Sequence, residues 1–275
     1  MLLFLQSGPV QTAMALSAAA ALLCGALGLL TLMRGQAFAG HALADVSSAG
    51  GAASLLFGIS PLLGFLLFGL AGVGTLEILQ SRQASARDEA AGILLGAGLG
   101  ITALLLHFCL THHGANGAAQ TVMFGAMFAI PPIMVIWSWG LTLLCLICLA
   151  VVARPLLSAS LVPELAHISG LPVRLLGLSF TIMLACGVTL AAMTIGAILA
   201  TALLVGPAAV AIRLARGVFS AVLLSLAVGL AACWGGIALA YFSYGWTPGH
   251  TWPVSFFIVA LLLLFYLVSR LGAHR

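Results

Sequence analysis

Lysine is absent from this chain, and all nine basic residues are arginines. A G-x-x-x-x-G-K-[ST] phosphate loop is therefore excluded, and with it an ATPase site of that class within the chain. Charge of either sign is scarce, since charged residues make up 5% of the 275 positions, far below a soluble domain's share of about a quarter. The arginines stand singly between apolar runs, with no basic stripe and no interleaved aromatics, so the net charge of +4 does not indicate a nucleic-acid partner. Enzymatic signatures are missing too: there is no H-E-x-x-H, no G-x-S-x-G and no pair of carboxylates sharing a helix face at membrane depth. These absences leave no sign of an enzyme and no ATPase site of that class.

What is present is apolar: 63% of residues are hydrophobic and the mean hydropathy is +1.27. Such a chain needs a lipid environment. Runs of about 20 apolar residues lie near 10–33, 61–80, 91–111, 130–153, 217–242 and 253–270, with weaker ones at 42–59, 175–192 and 195–211. The expected fold class is all-α, a polytopic integral membrane protein with eight or nine transmembrane helices. Residues 1–275 form a single transmembrane domain with no soluble domain, because the longest connection runs only from Arg154 to Arg174. The stretch MLLFLQSGPVQ has no basic residue, so the first span is expected to be retained and not cleaved.

Cytoplasmic loops collect arginine and lysine. With nine spans and an outer amino terminus, Arg34, Arg82, Arg87, Arg154, Arg174, Arg213, Arg216, Arg270 and Arg275 all fall inside. The outer connections are then Ser60-Pro61, His112 to Ala129, a turn at Met193-Thr194, and residues 243–252. Gly92, Gly96 and Gly100, spaced by four, and Gly50-Gly51 read as close helix crossings. The six cysteines, Cys145 and Cys148 of a C-x-x-C included, lie in or beside apolar runs and read as small packing residues.

An ionisable group at membrane depth costs about 2.5–3.5 kcal/mol on insertion scales, so each one merits scrutiny. His41 and Asp45 stand at i and i+4 in AFAGHALADVSSAGG, with Cβ atoms about 6 Å apart on one helical face. An imidazole nitrogen beside a hard oxygen suits zinc, manganese or ferrous iron, although such pairs also arise structurally. Glu77 reads as an interfacial residue near Arg82, and Asp88 and Glu89 as the charged first turn of a helix. His112 and His113 belong to an outer loop.

Three stretches resemble the permeases of the zinc, manganese and iron group of ATP-binding-cassette importers: residues 33–51, residues 161–178 and, most closely, IGAILATALLVGPAAVAIRLAR at 195–216. The order of helices between them is similar as well. In that group, Asp followed by His four residues later is the usual pattern, whereas this chain has His41 and then Asp45. The resemblance implies a metal path through His41 and Asp45, with zinc the favoured cargo and manganese or iron the alternatives. It also implies no permanently bound cofactor, a bacterial inner-membrane location, a cytoplasmic ATPase subunit, an extracytoplasmic metal-binding protein and a second permease copy, identical or a sister chain. The third stretch would carry the ATPase coupling segment, with Pro207 opening a helix at its first position and Arg213 and Arg216 facing the ATPase. The competing class is an ATP-independent secondary transporter or channel, whose inverted repeat or paired broken helices are not evident in the sequence.

Overall fold

In hydrocarbon a backbone must satisfy its own hydrogen bonds, so long apolar runs resolve into helices. A computed structural model of the chain describes residues 7–79, 84–114, 117–125, 127–161, 172–243, 245 and 252–272, and every regular element among them is helical. In chain order these are α1 (Gly8–Met33), α2 (Ala37–Phe57), α3 (Pro61–Leu79), α4 (Ala84–His113), α5 (Ala118–Phe124), α6 (Ile133–Leu161), α7 (Val173–Ile195), α8 (Ala197–Leu214), α9 (Val218–Ser243) and α10 (Val254–Gly272). Eight of the long helices are long and apolar enough to cross a bilayer. The ninth, α2, carries His41, Asp45, Ser47, Ser48 and Ser54, and it is shielded by packing against α3, α4, α7 and α8.

Successive long helices alternate in direction, and two distinct ends result. At one end, Val10 of α1, Leu55 of α2, the short α5, Thr194 of α7, Tyr241 of α9 and Trp252 meet around a cavity of about 770 Å3. At the other, Arg34 donates to Ser160 Oγ at 3.1 Å and lies over the Phe180 ring, and Arg174 pairs with Glu77 at 3.0 Å. Arg87, Arg154, Arg213, Arg216 and Arg270 belong to helix ends on this second side. Arg82 and Arg275 lie outside the described residues. The seven described arginines thus lie toward one end of the bundle.

The core is centred on α1 and α7, whose Leu16, Leu23, Leu27, Leu184 and Leu190 are fully enclosed. The outward faces of α3, α4, α6 and α10 expose Leu67, Ile93, Ile147 and Leu263, as a lipid-facing surface requires. Close crossings do occur, but at different glycines from those expected on α4. A Cβ on Gly50 of α2 would collide with the Gly64 carbonyl of α3, and one on Gly98 of α4 would meet the α2 backbone. A Cβ on Gly92 would only touch the Phe38 ring of α2 at 3.7 Å, and Gly96 and Gly100 face open space, so the four-residue ladder does not form the close crossing. Spacing alone gave the period of that face and not its direction.

Several boundaries move. The outer turn expected at Met193-Thr194 falls at Gly196, whose φ of +106° separates α7 from α8 and which packs under Met123 and Phe124. The connection from Arg154 is helical through Leu161, and residues 162–171, most of the second family-like stretch, lie outside the described residues. Because α4 begins at Ala84, Asp88 and Glu89 occupy its second turn and not its first.

Candidate metal site

A tight turn at Gly35, with φ of +64°, reverses the chain between α1 and α2. One and two turns into α2, the i, i+4 spacing brings His41 Nε2 to 3.7 Å from Asp45 Oδ2. Metal–nitrogen and metal–oxygen bonds of about 2.0–2.2 Å in a tetrahedral shell would set two donors roughly 3.4 Å apart. The pair is therefore within a few tenths of an ångström of a bidentate geometry. Asp45 is 1% exposed, and its Oδ2 has no hydrogen-bond partner among the described residues. A buried carboxylate oxygen left unpaired is costly, and a cation is the partner that would compensate it most fully.

The two side chains differ in access. Asp45 is enclosed by α4, where Gly98 lets the helices meet, and Ser48 Oγ donates to the Asp45 backbone carbonyl at 2.6 Å while touching Thr102 Oγ1 at 2.9 Å. Ser47 meets Thr189 of α7 at 3.1 Å, so a seam of hydroxyls continues along the buried face of α2. The His41 ring is one-third exposed and opens into a largely apolar cleft of about 750 Å3 between α2, α8 and α10, lined by Phe38, Thr201, Leu262, Leu263 and Tyr266. Its Nδ1 lies 2.7 Å from Thr201 Oγ1. No sequence signal marked Thr201, which is 160 residues distant and sits within an apolar run. Among the described residues no third His, Cys, Asp or Glu joins the pair into a metal-binding cluster.

The residues implied for coupling are placed unevenly. Pro207 does not open a helix: it is buried inside α8, with its ring against Gly229 of α9. There it removes one backbone hydrogen bond, which a first-turn proline would not. Arg213 lies in the last turn of α8, donates to the Tyr266 hydroxyl at 2.9 Å and stacks over that ring at 4.8 Å. Arg216 is exposed just beyond α8. Glu77 pairs with Arg174 of α7 at 3.0 Å, and Arg82 lies outside the described residues. Cys145 is buried and Cys148 exposed, both as free thiols. His112 is exposed on the last turn of α4.

Comparison with known proteins places this architecture. The manganese import system permease protein ScaB of Streptococcus parasanguinis is 28% identical over 241 residues, covering 84% of this chain and 81% of that protein. The manganese transport system membrane protein MntC of Listeria innocua is 25% identical over 240 residues, covering 87% and 83%. The structure of PsaBC from Streptococcus pneumoniae in complex with Fab superposes with a TM-score of 0.81 at 22% identity, over 96% of this chain and 91% of that one, and so shares the fold. Residues 6–271 match the ABC 3 transport family, nearly the whole chain, and the protein is a multi-pass membrane permease belonging to that family.

Proposed function

We propose that this chain is the membrane-spanning permease of an ATP-driven Mn2+ importer in the bacterial cytoplasmic membrane, with His41 and Asp45 as the donors that hold the ion in transit. The observation that carries the reading is the buried Asp45 Oδ2, without a hydrogen bond among the described residues, beside His41 Nε2 on a helix packed inside the bundle. Manganese is preferred because the ScaB and MntC relatives are manganese permeases, and imidazole with carboxylate suits that ion. The zinc favoured from the sequence finds no support among them.

Two donors satisfy neither a tetrahedral nor an octahedral shell. In this reading water, and a second permease copy where the exposed His41 side meets it, supply the remaining donors. The cavity at the α5 end faces an extracytoplasmic metal-binding protein, and the arginine-bearing end faces a separate ATPase. Arg213 and Arg216 lie at the end of α8 that the ATPase would move, and Pro207 is a point of weakened hydrogen bonding in the same helix. Nucleotide-driven movement of α8 against α2 then alternates access to the ion, which is cargo and not a resident cofactor.

The test is uptake of radioactive manganese in a strain lacking this chain, restored with the parent or with His41→Ala or Asp45→Ala, with zinc as competitor. The parent should restore uptake and both variants should lose most of it at equal membrane levels. Parental uptake by both variants would place the metal path elsewhere, and zinc uptake exceeding manganese would overturn the cargo assignment.

A further inference from the structure

Threonines in these helices mostly turn their hydroxyls back onto their own backbone: Thr31 to Leu27, Thr102 to Gly98, Thr181 to Gly177 and Thr194 to Leu190, at 2.8–3.0 Å. Thr201 departs from this habit. Its Oγ1 reaches across from α8 to His41 Nδ1 at 2.7 Å, the one hydrogen bond joining the imidazole to another helix among the described residues. A neutral imidazole has one N–H and one lone pair, and its Nε2 can hold a metal only while the proton resides on Nδ1. A hydroxyl at Nδ1 can accept that proton's hydrogen bond, whereas an aliphatic side chain there cannot.

We infer that Thr201 is a positioning residue for the transported ion, fixing the His41 ring so that Nε2 faces Asp45 with its lone pair free. This rests on the reading of His41 as a metal donor and adds a means of release. Because α8 carries Thr201 near its start and Arg213 in its last turn, a movement of α8 against α2 alters the support of the ring directly. A displacement of about 1 Å takes the 2.7 Å contact beyond hydrogen-bond range. The ring then loses its fixed orientation, and the bidentate geometry with Asp45 is lost with it. An outer-shell partner of a ligating histidine contributes about 10- to 100-fold to metal affinity, enough to separate holding from releasing states.

The experiment measures equilibrium binding of Mn2+ alone to the purified complete transporter without nucleotide, alongside uptake and ATPase activity after reconstitution. Thr201→Val, which keeps the shape and removes the hydroxyl, should weaken binding about 10- to 100-fold. Thr201→Ser should bind as the parent does. Thr201→Ala serves as a second hydroxyl-free variant should the valine chain fail to assemble. The sharper readout is the double-mutant cycle, in which Thr201→Val added to His41→Ala should cost nothing further, because Thr201 acts through the ring. Parental affinity in a hydroxyl-free variant, equal losses in the serine and valine chains, or additive losses in the cycle would overturn the inference. Parental binding by His41→Ala would instead remove the functional reading on which it rests.

Discussion

Gly98 offers a perturbation of the site whose size can be worked from the structure. A Cβ at this position of α4 would sit 2.8 Å from the Val46 backbone nitrogen, 2.9 Å from Val46 Cγ2 and 3.0 Å from the Asp45 carbonyl carbon. Ordinary contact begins near 3.4 Å, so Gly98→Ala must push α2 back by about half an ångström, and what it meets is mostly backbone that cannot rotate aside. Overpacking of this kind costs about 1–3 kcal/mol. The retreat acts on the residue that carries the buried carboxylate and is comparable to the few tenths of an ångström by which the donors miss a bidentate geometry. A loss of about 1–2 kcal/mol expressed in binding is a roughly 5- to 30-fold weaker affinity. Gly96→Ala, one half-turn earlier on a face with nothing within 4 Å, is the control and should be neutral or slightly stabilising, since alanine is favoured over glycine in a helix by about 1 kcal/mol. The assay is Mn2+ binding and the melting midpoint of the purified transporter for each chain. Equal behaviour of the two variants would refute the claim that the α2–α4 contact sets the position of Asp45.

Charge reversal at Arg213 and Arg216 should weaken assembly with the ATPase while leaving membrane insertion intact, measured by co-purification, and undiminished assembly of the double Glu variant would remove these arginines from the coupling surface. Labelling of single cysteines, in a chain freed of its own accessible thiols, should reach Ala119 in α5 from outside and Ser158 in α6 only from the cytoplasm. Opposite accessibility of the two positions would invert the topology.

The long helices were legible because they are apolar and mostly bounded by Gly, Pro or Arg, and because the arginines gather at one end, whereas the seven-residue α5 falls within the stretch from His112 to Ala129 that reads as an outer connection. The location of the site was legible for a related reason: His41 and Asp45 interrupt an apolar chain in which polar atoms are expensive, and their spacing puts them on one face. Direction around a helix was less accessible. The Gly92, Gly96 and Gly100 ladder has the period of a crossing, but the crossing is made by Gly98, because the neighbour's position is set by tertiary packing and not by α4 itself. Pro207 misled for a similar reason. A proline before a basic segment commonly begins a helix, yet the hydrophobic enclosure of α8 between α1, α9 and α10 carries the helix through it. Thr201 and Tyr266 could not be assigned to His41 and Arg213, since each contact joins helices distant in sequence and depends on the rotation of both.

The reversed order of the donors permits a test that separates donor chemistry from simple occupancy. In the double variant His41→Asp with Asp45→His, the donor set is unchanged and the order becomes Asp then His, as is usual in the resembling permeases. The two positions are not equivalent, however. Position 41 is one-third exposed beside Thr201, and position 45 is enclosed between α2 and α4. An imidazole at 45 is bulkier than the carboxylate it replaces, and overpacking there costs about 1–3 kcal/mol. An aspartate at 41 is shorter than histidine and forfeits the contact with Thr201. The double variant should therefore transport measurably but below the parent, with a shifted preference between manganese and zinc. Each single change leaves two like donors: His41→Asp pairs two carboxylates that repel when empty, and Asp45→His pairs two imidazoles and removes the anionic charge that draws a divalent ion to the site. Both singles should fall well below the double in competitive uptake at equal membrane levels. A single variant as active as the double would mean that the identity and pairing of these donors do not govern transport, and that the polar face of α2 serves packing alone.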